Sequence, residues 1–189
     1  MTHATRFVAV AVLVALALCA PVQAQTPEID ALRARAEQGD ARAQSRLGNM
    51  YHYGEGVPQD DAEAVRWSRL AAEQGDAWAQ YNLGVMYTGG EGVPQDDAEA
   101  VRWYRLAAEQ GHADAQSELG VSYRIGEGVP QDYVQAHMWL NLAASRMTGV
   151  LRESAVEARD LAASRLTPDD LSEAQRLARE WDAAHPREP

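Results

Sequence analysis

The side chains of this chain that could carry out chemistry are histidines, one cysteine and a set of repeated acidic residues. No two histidines have the spacing of a metal-ligand pair, and His112 occupies a helix-capping position that aspartate holds in equivalent segments, so we interpret it as structural. The carboxylates recur in every copy of a repeated turn, whereas acid–base catalysis needs one distinctive pair. We therefore predict no catalytic residue, no metal site and no cofactor. The residues considered are His3, His52, His112, His137, His185, Cys19, Glu55, Glu91 and Glu127.

Nucleophilic and phosphate-binding motifs are also missing from the sequence. Ser45, Ser68 and Ser117 lie in predicted helices without a histidine at a suitable position, and no nucleophile-elbow motif surrounds them. The glycine-rich turns resemble phosphate-binding loops, but the chain contains no lysine and the sequence predicts no strand before these turns. We therefore interpret the turns as connections between helices.

A 36-residue internal repeat positions all of these side chains. The segment GEGVPQDDAEAVRW occurs at Gly54–Trp67 and again at Gly90–Trp103, and a looser copy extends from Gly126 to Trp139. A leucine–glycine pair followed by a tyrosine precedes each copy. A fixed period of this length is typical of solenoids built from stacked helical hairpins. The repeated residues, which we predict to be structural, are Leu47, Gly48, Tyr51, Gly54, Gly56, Trp67, Leu83, Gly84, Tyr87, Gly90, Gly92, Trp103, Leu119, Gly120, Tyr123, Gly126, Gly128 and Trp139.

Each copy predicts two short helices joined by a glycine-containing turn. In the central copy, Gly84 has no side chain and leaves room for a neighbouring helix beside the apolar stripe. Gly90 ends the first helix in the left-handed conformation. Asp96 begins the second helix in a capping box with Glu99, and we expect Trp103 to be buried by this helix.

The chain resembles the Sel-one-like repeat, a relative of the tetratricopeptide repeat, from about Ala34 to Ala144. The resemblance rests on the motifs L-G-x-x-Y, G-x-G-V-x-x-D and A-x-x-W-x-x-x-A-A. The resemblance implies an all-α, right-handed solenoid of short antiparallel helix pairs. It also implies a non-catalytic adaptor that binds a partner protein or peptide. The alternative is a cell-wall-related hydrolase, because some cysteine-rich secreted relatives have been assigned β-lactamase-like activity. Those relatives depend on paired cysteines in each repeat, whereas this chain has a single cysteine. It also has no lysine, so it cannot contain a Ser-x-x-Lys motif, and we favour the adaptor.

The sequence divides into five segments with different expected roles. The middle of the chain carries the repeats, and its flanks match the repeat pattern less well. The segments are a signal peptide at 1–24, an N-terminal capping helix at 25–40, three repeats at 41–146 (about 41–76, 77–112 and 113–146), a C-terminal capping helix pair at 147–184, and a flexible tail at 185–189.

The N-terminal segment has the features of a secretory signal peptide. Arg6 precedes the apolar stretch Phe7–Ala20. Val22-Gln23-Ala24 follows, with small or permissive residues at the positions that signal peptidase recognises, so we expect cleavage after Ala24. The stretch is shorter than the roughly 18–20 residues that span a bilayer. We therefore expect a periplasmic or secreted protein, bacterial by its resemblance, without membrane insertion after cleavage. Lipid attachment at Cys19 remains an alternative to cleavage after Ala24, although a small residue is expected before a lipidated cysteine.

The charge of the chain restricts the classes of partner. The formal net charge is −11 at pH 7, and all basic side chains other than histidine are arginines. Such a chain repels phosphate backbones and anionic lipid head groups, which argues against nucleic acid and membrane surfaces as partners. We interpret the charge mainly as a source of solubility, with recognition of a basic partner as the alternative, and we expect a monomer.

Positions that differ between the copies are where a specific binding site would lie, because the shared residues are required by the fold. On the first helices these positions fall opposite the core stripe, and first helices line the concave side of helical-hairpin solenoids. Trp78 is distinctive because arginine and aspartate occupy the equivalent positions. It is either a binding hot spot or an indole that packs on the neighbouring repeat. The predicted groove residues are Arg42, Ser45, Arg46, Asn49, Trp78, Tyr81, Asn82, Val85, Asp114, Ser117, Val121 and Arg124.

Overall fold

The computed structural model describes residues 27–186, in which every regular element is an α-helix. Helices of 13 or 14 residues alternate with short turns through the repeats, at the spacing that the sequence predicts. The predicted signal peptide lies outside the described residues. The helices are α1 (Pro27–Glu37), α2 (Ala41–Tyr53), α3 (Asp61–Glu73), α4 (Ala77–Gly89), α5 (Asp97–Glu109), α6 (Ala113–Ile125), α7 (Tyr133–Arg146), α8 (Gly149–Ala163) and α9 (Pro168–Ala184).

The helices pack in chain order as an array of pairs. Within each repeat the two helices are in extensive contact, α2 with α3, α4 with α5 and α6 with α7. Each second helix also packs against the first helix of the next repeat. The predicted all-α, tetratricopeptide-like array of helix pairs is therefore confirmed. None of the helices in residues 27–186 combines the length and the apolar character needed to cross a lipid bilayer.

The first helices are capped at both ends by the residues that the sequence predicts. The side chains of Asp40 and Asp76 each accept a hydrogen bond from a backbone N–H in the first turn of the following helix. In the third repeat, Nδ1 of His112 accepts from the Ala115 N–H at 3.3 Å, so this histidine is a cap, as predicted. Gly90 ends α4 with φ +68°, the left-handed region that glycine adopts at low cost.

The capping boxes of the second helices form only in part. Asp96 accepts from the Glu99 N–H at 3.0 Å, as predicted, and Asp60 accepts from the Glu63 N–H at 3.0 Å at the equivalent place in the first repeat. The reverse bond is replaced, because the Asp60 N–H already donates to the Tyr51 carbonyl oxygen at 2.9 Å. The Glu63 carboxylate is consequently free to pair with Arg66 at 2.8 Å. The prediction was wrong for this half of the box because a tertiary contact uses the backbone donor.

The core consists of small and large apolar side chains that alternate at the helix crossings. Leu83 of the first helix is fully buried, and Trp103 of the second helix is 7% exposed. A side chain added at Gly84 would place its Cβ 2.5 Å from a ring carbon of Tyr104, so this glycine leaves room for the Tyr104 ring of α5. Core packing of this kind, without a disulfide in the described residues, supplies most of the stability of such an array.

The C-terminal helices depart from the regular arrangement. Helix α8 begins 36 residues after α6 and packs against α7, as the first helix of a further repeat would. Helix α9 packs against α7, and its contact with α8 is slight. The Trp139 and Trp181 rings lie 6.0 Å apart, and Arg146 pairs with Asp182 at 2.5 Å. His185, which we expected in a flexible tail, stacks on Trp181 at 4.1 Å.

Candidate partner-binding groove

The first helices form one face of the array. Helix α2 contacts α4 and α6 contacts α8, while α4 and α6, like α3 and α5, have no comparable contact with each other among the described residues. The sequence predicts that the first helices line the concave side of the solenoid. We call the surface of α2, α4 and α6 the groove.

Most of the predicted groove residues retain access to solvent. Arg42, Arg46 and Trp78 are exposed, and the others are partly exposed apart from Ser45. Ser45 is buried, with 6% of its surface accessible, so it is removed from the predicted binding surface. Tyr81 and Ser117 at the equivalent positions are partly exposed, so the local surroundings of Ser45 and not the repeat position bury it.

An aromatic cluster occupies the centre of the groove. The Trp78 indole is 48% exposed, and its ring centroid lies 6.1 Å from that of Tyr81 and 5.2 Å from that of His112. Tyr81 stacks on His112 at 4.9 Å, and Tyr104 lies 6.0 Å from Tyr81 on the far side. Trp78 therefore both contacts His112, the N-cap of the first helix in the next repeat, and presents about half of its surface to solvent.

Charge changes sign along the groove. Arg42 and Arg46 project from α2, whereas Asp114 and Glu118 lie on α6. Partial burial and the two α6 carboxylates raise the pKa of Tyr81 to about 12. The pKa of Glu118 is also raised, first by its partial withdrawal from water and then by Asp114. Burial lowers the pKa of His112, so its imidazole stays neutral within the aromatic cluster at neutral pH.

Some predicted groove residues contact each other across helices. The Asn82 side-chain amide donates to the Asn49 oxygen at 2.6 Å, which connects α4 to α2. These two polar groups help to hold the first helices together. Arg42 and Arg46, in contrast, make no salt bridge within residues 27–186. The groove therefore offers free cationic groups at one end and an exposed aromatic face at its centre.

The structure also shows roles that the sequence analysis missed. His112 was assigned only a capping role, yet its ring joins Trp78 and Tyr81 in the cluster. The repeated tyrosines serve as acceptors between repeats, as when Arg69 donates to the Tyr87 hydroxyl at 2.7 Å. The constant spacing of 18 residues between these partners was the available signal, but it does not reveal a contact without the packing of the helices.

The side chains that could bind a metal ion lie apart from one another in the part of the chain that the structure describes. Within residues 27–186, histidine, cysteine and acidic side chains form no group of three or more that could hold a metal ion. The repeated carboxylates Glu55, Glu91 and Glu127 lie exposed in successive turns. The groove itself presents aromatic, cationic and anionic sections.

Comparison with known proteins identifies the family. The Sel1 repeat, the repeat that we described above as Sel-one-like, matches residues 41–76, 79–112 and 113–146. A Sel1 repeat protein from Oxalobacter formigenes of known crystal structure is 38% identical, with a TM-score of 0.62, over 70% of this chain and 99% of that protein. No curated protein matches the chain.

A second similar structure shows the same fold in a longer protein. It is c5321, a protective antigen of uropathogenic Escherichia coli strains that displays an SLR fold. This protein is 30% identical with a TM-score of 0.62, and the match covers 86% of this chain and 42% of the antigen. The chain belongs to the Sel1 repeat family. Sel1 repeats generally mediate protein binding, which is the class of function that the family indicates.

Proposed function

We propose that this protein is a non-catalytic adaptor of the bacterial cell envelope that binds a partner protein or peptide in the groove. The observation that carries the proposal is the half-exposed indole of Trp78 at the centre of the groove. Tryptophan, tyrosine and arginine are the residues most often found at binding hot spots. Trp78, Tyr81 and Arg46 supply all three on adjacent first helices.

The charges of the groove suggest how a partner segment would be oriented. An acidic side chain of the partner suits Arg42 and Arg46 of α2, and a basic side chain suits Asp114 and Glu118 of α6. An apolar or aromatic side chain between them would cover Trp78. This polarity favours a segment with separated charges of opposite sign over a uniformly charged one.

Replacement of Trp78 tests the groove directly. We expect Trp78→Ala to weaken partner binding by roughly 2 kcal/mol or more, about thirty-fold, because truncation removes a large exposed aromatic contact. Partners would be captured from an envelope extract on immobilised wild-type and variant chains and compared by quantitative mass spectrometry. The affinity of each captured protein would then be measured by calorimetry after purification.

Two further variants make this test specific. Trp78→Arg introduces the residue that occupies the equivalent position in the first repeat, so the fold should tolerate it while the aromatic contact is lost. Leu106→Ala removes an apolar side chain with similar exposure, 37%, from a second helix outside the groove, and it should leave binding unchanged. Equal capture by wild type, Trp78→Ala and Trp78→Arg would contradict the proposal.

Export of the protein is the second part of the proposed function. The apolar stretch Phe7–Ala20 and the site at Ala24 support secretion with removal of residues 1–24. We expect the intact mass of the native protein to correspond to a chain that begins at Gln25. A mass that retains residues 1–24 would contradict cleavage, and an added diacylglycerol would instead indicate lipid attachment at Cys19.

A further inference from the structure

A polar cleft lies between α7, α8 and α9, away from the aromatic centre of the groove. It has a volume of about 460 Å³, within the range of small-molecule sites. It exists because α9 packs against α7 and makes only slight contact with α8, so that a space remains between the last two helices. The polar residues that line it are His137, Asn141, Arg159, Asp160, Gln175 and Arg179.

The cleft contains a histidine where the other repeats have a core valine. Val65 and Val101 precede His137 by multiples of 36 residues, and both are buried. His137 is only 4% exposed, and its Nδ1 is buried without a hydrogen-bond partner in the described structure. A buried polar group without a partner has lost its hydrogen bonds to water without replacing them, which costs stability. The fold does not require this cost, because valine fills the same position twice.

A second departure from the repeat places an arginine in the cleft. Between the second and third repeats, Arg105 donates to the Tyr123 hydroxyl at 2.8 Å. One period later the two residue types are replaced by Asn141 and Arg159, and the arginine now lies on α8 and approaches the Asn141 oxygen at 3.4 Å. The exchange retains a contact between the helices while it moves a guanidinium to the wall of the cleft.

The charges of the cleft favour a single negative charge. Arg159 pairs with Asp160 at 2.8 Å, whereas Arg179 is exposed and makes no salt bridge within residues 27–186. Burial first, and then the nearby Arg159, lower the pKa of His137, so it is neutral at pH 7. Two arginines and one aspartate leave a net charge of one positive unit in a chain whose total is −11.

We propose that this cleft binds a small organic monocarboxylate that also carries an amide or hydroxyl group. Arg179 would pair with the carboxylate, since a guanidinium binds a carboxylate through two parallel N–H···O bonds. The Nδ1 atom of His137, which is buried without a hydrogen-bond partner in the described residues, and the side-chain amide of Gln175 would bind the neighbouring polar group. The carboxylate of Asp160 would repel the second negative charge of a dianion, which favours a ligand with one negative charge.

The experiment titrates the whole mature protein with three probes while backbone amide resonances are recorded by NMR. N-acetylglycine carries the proposed groups, N-acetylglycinamide lacks the carboxylate, and inorganic phosphate is a different anion. We expect saturable shifts of amides in α7, α8 and α9 with N-acetylglycine, and binding at least ten-fold weaker for each of the other probes.

Three variants separate a binding site from a structural feature. Arg179→Gln should weaken N-acetylglycine binding at least ten-fold. His137→Val, which restores the residue of the other repeats, should weaken binding at least five-fold while the melting temperature stays equal or rises. Arg176→Gln changes an arginine of α9 that is paired with Glu173 at 2.6 Å outside the cleft, and it should bind as the wild type does.

Specific results would overturn the proposal. The absence of saturable shifts up to about 50 mM N-acetylglycine, a concentration at which even a weak site would fill, would exclude a carboxylate site. Tighter binding of phosphate, or equal binding by Arg179→Gln and wild type, would contradict the assigned chemistry. A rise in melting temperature of His137→Val with unchanged probe binding would show that the histidine has no part in recognition.

Discussion

Replacing Trp103 with alanine is expected to lower the free energy of unfolding by about 3–5 kcal/mol. The indole is 7% exposed and belongs to a cluster with Leu83 and Met86, which are buried at the junction of adjacent repeats. Removing it leaves a cavity that rigid neighbouring helices fill only in part. Urea unfolding followed by circular dichroism at 222 nm would measure the loss.

Trp78→Ala is the matched control, because it removes the same side chain from a half-exposed position. With 48% of its surface accessible, the Trp78 indole contributes less buried area to the fold than Trp103. We expect Trp78→Ala to unfold close to the wild type. If both variants lost the same stability, Trp78 would be a structural residue that packs on His112, and the groove proposal would lose its central observation.

The repeat made the burial of some residues predictable from sequence. Leu83 and Trp103 recur at the same place in each copy, and a position that every copy shares is required by the common packing. Trp78 has no such constraint, so its environment depends on which residue the next repeat places beside it. That residue is His112, whose cap geometry was predictable but whose ring contact was not.

The end of the array was less predictable for a related reason. A helix pair was expected at 147–184, and α8 and α9 lie in this segment. Their packing was not expected, because the sequence does not indicate that α9 packs on α7, where Trp181 contacts Trp139 and Asp182 pairs with Arg146. The exchange that puts Arg159 on α8 follows the 36-residue period, yet only the helix packing shows that its guanidinium reaches Asn141.

Ser45 shows the limit of choosing groove residues by difference between copies. A differing position is free of the shared constraint, but it need not be exposed, because the neighbouring side chains of that copy decide whether it reaches solvent. Ser117 has the same residue type at the equivalent position and is partly exposed. Ser45 itself is buried, whereas Tyr81 is partly exposed. The remaining groove residues stay a prediction that binding measurements must test.

Replacing Gly92 with alanine is expected to destabilise the protein by about 3 kcal/mol or more. Gly92 has φ +70°, where a side chain costs about 1–2 kcal/mol. A Cβ at this position would also overlap the carbonyl oxygen of Asp61, in the first turn of α3. Backbone atoms of a helix cannot move aside as a flexible side chain can, so a further 1–3 kcal/mol is added, as in overpacked cores. Thermal and urea unfolding would measure the combined effect.

Two other glycines separate the strain of the backbone from the overlap. Gly75 has a similar left-handed conformation, with φ +90°, but a Cβ at this position would meet no atom within 4 Å. Gly75→Ala should therefore lower the free energy of unfolding only by the cost of the backbone conformation. Gly56 is the equivalent of Gly92 in the first repeat, and its Cβ would meet the end of the Ile29 side chain, which can rotate away. We therefore expect Gly92→Ala to be the most destabilising of the three, with Gly56→Ala and Gly75→Ala near each other. A different result would be that Gly92→Ala lowers the free energy of unfolding no more than Gly75→Ala does. The turn would then be able to move away from α3. The close contact between successive repeats would not explain why the second position of each G-x-G turn is a glycine.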